Sequence, residues 1–144
     1  MCFGARNHQF GRFYVPKSGN LAAIKLVHRY GYVSCDTREV SHWSYWGCGD
    51  KTWNDINKMV DVVITNSDNH ILLPPNQFFT IGNHWSKIPG YNSLSPVLVL
   101  SVFSHPHWVT SGQELRLWYG EDLVNWTEAR NGGRVCCDVY VDYV

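Results

Sequence analysis

Residues 121–134 read Glu121-Asp122-Leu123-Val124-Asn125-Trp126-Thr127-Glu128-Ala129-Arg130-Asn131-Gly132-Gly133-Arg134. Three carboxylates, Glu121, Asp122 and Glu128, stand here with the amides of Asn125 and Asn131, and a Gly-Gly pair permits a tight return. Oxygen ligands on a turning backbone are what a calcium ion needs, although the spacing is not that of an EF-hand. Such an ion can also take two vicinal sugar hydroxyls, while Trp126 offers its ring to the C–H face of the sugar. The plainer reading is a solvated acidic loop. Asn125-Trp126-Thr127 is also a glycosylation sequon. A glycan there would fill the same loop, so either the sequon is unused or the ligand lies to one side.

A second polar and aromatic stretch runs from Ser34 to Lys58 and holds His42-Trp43-Ser44-Tyr45-Trp46-Gly47. Its Trp53-Asn54-Asp55 resembles the tripeptide with which C-type lectins ligate calcium, but three residues do not make a site. The stretch is expected to fold as an aromatic cluster over one end of the domain. His105-Pro106-His107 reads as a surface turn rather than a metal site. No G-x-S-x-G motif frames a nucleophile. Glu121 and Asp122 are sequence neighbours, whereas the two acids of a glycosidase face each other across a cleft.

Short strands must position these loops. Residues 22–30 alternate, with Ala22, Ile24, Leu26 and His28 on one face. Residues 60–65 are Val/Ile-rich and stop at Asn66-Ser67-Asp68-Asn69, a turn signal. Residues 70–73 and 77–81 read as further strands. Residues 97–103 form a continuous apolar run, which predicts a central strand buried on both faces. Residues 114–119 place Leu115, Leu117 and Tyr119 on one face and Glu114, Arg116 and Trp118 on the other. In residues 135–143, Val135, Cys137, Val139, Val141 and Tyr143 should point inward. The pattern predicts an all-β, single-domain antiparallel β-sandwich with long aromatic and polar loops. Residues 1–16 form an N-terminal arm and residues 17–144 the sandwich. A short helix fits only within residues 50–60.

Composition narrows the function. The 144 residues carry 12 basic and 12 acidic side chains, a formal net charge of zero, with no basic cluster. That argues against a nucleic-acid partner. The longest apolar run, Val97 to Leu100, is far below the roughly 20 residues of a membrane span. Residues 1–16 do not resemble a secretory leader, so a secreted form would be a mature chain. Seven Trp, eight Tyr and six Phe exceed what a core needs, and exposed rings suit sugars or proteins. Five cysteines (Cys2, Cys35, Cys48, Cys136, Cys137) with no zinc spacing predict an oxidised, extracellular protein. A Cys35–Cys48 bridge would staple the first loop. Cys136 and Cys137 should face opposite ways. Cys2 could pair with the C-terminal strand or with a second chain, and one thiol is left over.

The stretch from Gly112-Gln113-Glu114-Leu115-Arg116-Leu117-Trp118-Tyr119-Gly120-Glu121-Asp122-Leu123 to Asn131-Gly132-Gly133-Arg134-Val135-Cys136-Cys137-Asp138-Val139-Tyr140 resembles the C-terminal signature of a cnidarian family. That family includes a galactose-binding lectin of sea anemones. Gly31-Tyr32-Val33-Ser34-Cys35-Asp36, Trp46-Gly47-Cys48 and Ile88-Pro89-Gly90-Tyr91-Asn92-Ser93 resemble it too, so the likeness spans roughly residues 20–144. It implies a secreted, non-catalytic, calcium-assisted lectin for galactose-containing glycans, assembled as a homodimer that a disulfide could link. Glu121, Asp122 and Asn131 match its acidic loop, and Asp138 matches the acid of the following strand. With the rings of Trp118 and Trp126 read from the sequence as stacking faces, the candidate sugar-binding residues are Glu121, Asp122, Trp118, Trp126 and Asn131. With Glu128 added from the loop's own carboxylates, the candidate calcium ligands are Glu121, Asp122, Glu128, Asn131 and Asp138. Arg130 stands where the family commonly carries an acid, an exchange that weakens a calcium site. The alternative is an extracellular or skeletal matrix protein without monosaccharide specificity.

Overall fold

The computed structural model describes residues 1–50, 53–82, 84–125 and 129–144, with Trp53 and Asn54 described by backbone alone. Two antiparallel sheets face each other. The first has the order β1 (Cys2–Gly4), β11 (Gly132–Tyr143), β3 (Gly19–Ser34) and β8 (Val97–Ser101), and β9 (His107–Val109) also pairs with β3. The second has the order β2 (Gly11–Tyr14), β10 (Glu114–Tyr119), β4 (Val62–Asn66) and β5 (Ile71–Leu73). A small ladder joins β6 (Phe79–Ile81) to β7 (Trp85–Ser86), and the short helix α1 (Gly120–Val124) follows β10.

Strand alternation sends one side chain in two to the core between the sheets. Ile24 and Leu26 of β3, Leu98 and Leu100 of β8, and Val135 and Cys137 of β11 meet Val62, Ile64, Leu115, Leu117 and Tyr119. The faces expected for residues 114–119 and 135–143 are those found, with Val139, Val141 and Tyr143 packed against the same core. The register slips between Cys136 and Cys137. Cys136 bonds to Cys2, while Cys137 enters the core as a free thiol. The Cys35–Cys48 bridge closes the first loop.

Two expectations differ from the structure. The apolar run after Pro96 is an edge strand: β8 pairs with β3 alone, Leu98 and Leu100 are buried, and Val97 is exposed. Short apolar runs do not distinguish an edge from a centre; the long β3 takes the central place. Residues 1–16 contribute a strand to each sheet rather than lying apart from them. Cys2, Phe3 and Gly4 pair with β11, and Gly11 to Tyr14 pair with β10.

Candidate functional site

Both long connections leave the same end of the sandwich. Val33 and Ser44 exchange backbone hydrogen bonds of 2.8 Å each. Asp61 N–H donates to Trp46 O at 2.7 Å, and Gly120 N–H donates to Asp61 O at 2.5 Å. Thr37 N–H donates to Arg130 O at 2.9 Å, tying one connection to the other.

Within the first connection, residues 43–46 alternate like a strand. Ser44 and Trp46 are buried, while Trp43 and Tyr45 are half-buried. Trp46 anchors the loop in the core, donating Nε1–H to Ser95 O at 2.7 Å. Tyr45 stacks on His28 at 3.7 Å between ring centroids and lies 5.6 Å from Tyr32. Gly133 has φ of 89°. A Cβ there would collide with Tyr32 O and with the Trp43 ring, so only glycine lets the indole settle on β11. The Cys35–Cys48 bridge limits how far the loop can open.

These constraints build a shallow cleft of about 480 Å³ lined by Tyr32, Val40, Ser41, Trp43, Asp50 and Leu94. Tyr32 is 51% exposed, and Asp50 is exposed with φ of 41°. Aromatic rings, a hydroxyl and a carboxylate therefore share one open surface. Nearby, Arg38 grips Asp36 through two hydrogen bonds of 2.9 and 2.8 Å. The Arg38 guanidinium holds the Asp36 carboxyl well below the usual carboxylate range.

The residues singled out in the second connection do other work. Both carboxyl oxygens of Asp122, which is 0% exposed, accept backbone N–H groups, from His8 at 2.8 Å and Gln9 at 3.0 Å. Buried Asn131 donates Nδ2–H to Ala5 O at 3.1 Å. Both therefore fasten residues 5–9. Glu121 is buried and accepts Trp85 Nε1–H at 3.4 Å, while its backbone N–H donates to Asp61 Oδ2 at 3.2 Å. Burial, and then Glu121, push the Asp61 carboxyl well above its usual range, which favours its protonated form. Sequence reading missed Asp61, an acid inside an apolar run. Tyr119, also buried, donates its hydroxyl to Gly47 O at 2.8 Å.

Asp138 lies seven positions beyond Asn131 along β11, roughly 20 Å at about 3.3 Å per residue. There it pairs with Arg29 on the outer face. Trp118 is 2% exposed, covered by Phe10 at 4.7 Å and His8 at 6.0 Å, and offers no open face to a sugar. Trp126 and Glu128 lie outside the described residues. The structure thus does not bring Glu121, Asp122, Asn131 and Asp138 together as a metal shell. Among the described residues no three His, Cys, Asp or Glu side chains converge on a metal position. With Asp122 bonded to backbone amides and Asp138 paired to Arg29, the described members of this donor set do not form one calcium shell.

No family model and no curated protein matches the chain. Among solved structures, it is similar to AJLec from the sea anemone Anthopleura japonica, at 34% sequence identity and a TM-score of 0.87. The match covers 99% of this chain and 92% of that one, so it takes in the N-terminal strands as well.

Proposed function

The chain belongs to the cnidarian lectin family, and from that premise we propose that it is a secreted, non-catalytic lectin holding a galactose-type sugar in the Tyr32–Trp43–Asp50 cleft. The observation that carries the reading is the meeting of open aromatic rings with a carboxylate on a loop that a disulfide restrains. The axial 4-hydroxyl of galactose leaves the C–H groups of C3, C4 and C5 on one continuous apolar face. Trp43 or Tyr32 supplies the ring on which that face stacks. Asp50 accepts hydrogen bonds from the sugar hydroxyls, a contact of roughly 1.5–3 kcal/mol for a charged acceptor. Asp50 is the one acid among the described lining residues, and glycoside hydrolysis calls for two facing carboxyl groups.

Two disulfides suit an extracellular protein. A dimer would raise avidity by joining two clefts. Four cysteines are bridged within the chain, and Cys137 is 1% exposed. Such a dimer is accordingly held without a disulfide.

The test is a glycan-binding titration in calcium-containing buffer, comparing the protein with Trp43→Ala and Asp50→Asn. Loss of terminal-galactose binding in both, at unchanged melting temperature for Asp50→Asn, supports the cleft. Undiminished binding in both variants would place the site elsewhere, and no glycan binding by the unaltered protein would favour the matrix-protein alternative.

A further inference from the structure

We propose that Asn125 is an N-glycosylation site bearing an oligosaccharide on the turn after α1. The inference rests on the secretion proposed above but not on the position of the sugar cleft. Asn125-Trp126-Thr127 is the one Asn-X-Ser/Thr triplet in the sequence, and its middle residue is not proline. The structure makes its asparagine available. Asn125 is exposed and ends α1 in the left-handed conformation, with φ of 56° and ψ of 41°. Its backbone N–H is engaged by the carbonyls of Asp122 and Glu121. Asn131, a few positions on, is the contrasting case: buried, with its amide donated to Ala5 O.

Two further observations agree. Cys2–Cys136 and Cys35–Cys48 form in the oxidising secretory compartment, where glycan transfer also takes place. The conflict between glycan and ligand that the sequence raises is also removed. Glu121 and Asp122 are buried, and no residue of 121–134 is among the described residues lining the Tyr32–Trp43–Asp50 cleft. A glycan on Asn125 thus modifies none of the described residues that line the cleft.

The donor is a lipid-pyrophosphate-linked oligosaccharide. Asn125 Nδ2 bonds to C1 of its first sugar as the C1–O bond to pyrophosphate breaks. The lipid pyrophosphate leaves with the bonding electrons, and the amide proton passes to a base of the transferring enzyme.

The experiment is secretion of the full chain from eukaryotic cells, followed by intact-mass and peptide mass spectrometry. The expected result is a chain heavier by one N-glycan. A glycan-releasing amidase should remove it and leave aspartate at position 125. Thr127→Ala should abolish the modification while keeping Asn125 itself, and Thr127→Ser should retain it. An unmodified Asn125 in the secreted, disulfide-bonded protein overturns the proposal. Galactose binding is measured in parallel before and after deglycosylation. Equal binding supports a glycan clear of the cleft, and binding gained only on removal overturns that placement. Glycan present with no galactose binding would refute the cleft and leave the glycosylation site standing.

Discussion

Replacing Asp122 with Ala separates a ligand-binding acid from an acid that builds the fold. Its two oxygens accept the backbone N–H groups of His8 and Gln9 at 2.8 and 3.0 Å, across more than a hundred residues of sequence. Removing them strands two donors. An unsatisfied buried donor costs about 1–3 kcal/mol. His8 and Gln9 are themselves exposed, so water can reach part of the vacated space, and the low end applies to each. The expected loss is about 2–3 kcal/mol, or roughly 5–10 °C in melting temperature for a chain of this length. Thermal unfolding followed by tryptophan fluorescence measures the loss. Amide hydrogen exchange should show lost protection at His8 and Gln9, while Cys2–Cys136 keeps β1 tethered. Asp122→Asn, with one carbonyl oxygen left, should lose about half as much. Galactose affinity of the folded Asp122→Ala protein should stay within twofold of the unaltered chain. An unchanged melting temperature together with lost galactose or calcium binding would refute the reasoning and return Asp122 to the site.

Other outcomes follow from the same structure. Gly133→Ala should weaken galactose binding several-fold in the titration used for Trp43→Ala, because a Cβ at φ of 89° displaces the indole. Asp61 binds its proton more tightly in the folded than in the unfolded chain. The stability it contributes is therefore full at acid pH and falls as pH rises from the ordinary value of 3.8 toward its raised one. Urea unfolding from pH 4 to 8 should show that slope flattened in Asp61→Asn. The ordering of Asp36 is opposite: its stabilisation by Arg38 is lost only as pH falls below the usual carboxylate range, and Arg38→Ala should remove that acid-side loss. The Cys137 thiol, pushed up to about 11 chiefly by burial, should resist alkylation at pH 8 until the chain is unfolded, with mass spectrometry as the readout. Rapid labelling of the native protein would reopen a disulfide-linked dimer.

The sheets were legible where a strand's own alternation matched the burial of one face. Glu114–Tyr119 and Gly132–Tyr143 carry that pattern in their residues, and their inward faces are as expected. Pairing order was not legible, because it depends on which edges meet. Val97–Ser101 looks central by composition yet pairs on one side only, and Cys2–Gly4 is three residues with no period of its own. In the second connection, residue type was a poor guide to role. A carboxylate that accepts backbone amides and one that faces solvent have the same letter, and burial tells them apart. The inward Ser44 and Trp46 and outward Trp43 and Tyr45 that frame the cleft are a burial pattern that the letters of residues 43–46 do not carry; the density of aromatic residues there was the only sequence signal.

The division of labour at this end of the sandwich has a physical basis. A sugar site needs rings and polar groups that face water yet hold still, and exposed loops are seldom rigid enough unaided. Here the rigidity comes from underneath. Trp46 is bonded to Ser95, Tyr119 to Gly47, Glu121 to Trp85 and Asp122 to residues 8 and 9. Each contact ties one of the two long connections, or the segment between them, to a different part of the chain. The buried polar groups thereby convert loops into a platform, and Tyr32, Trp43 and Asp50 are left at its surface. An acidic loop beside an aromatic loop is thus consistent with carbohydrate binding even when the acids never touch the sugar. Variants at Glu121, Asp122 and Asn131 are then expected to lower the melting temperature while leaving the galactose affinity of the folded protein nearly unchanged. Variants at Trp43 and Asp50 should instead lose affinity out of proportion to any change in stability.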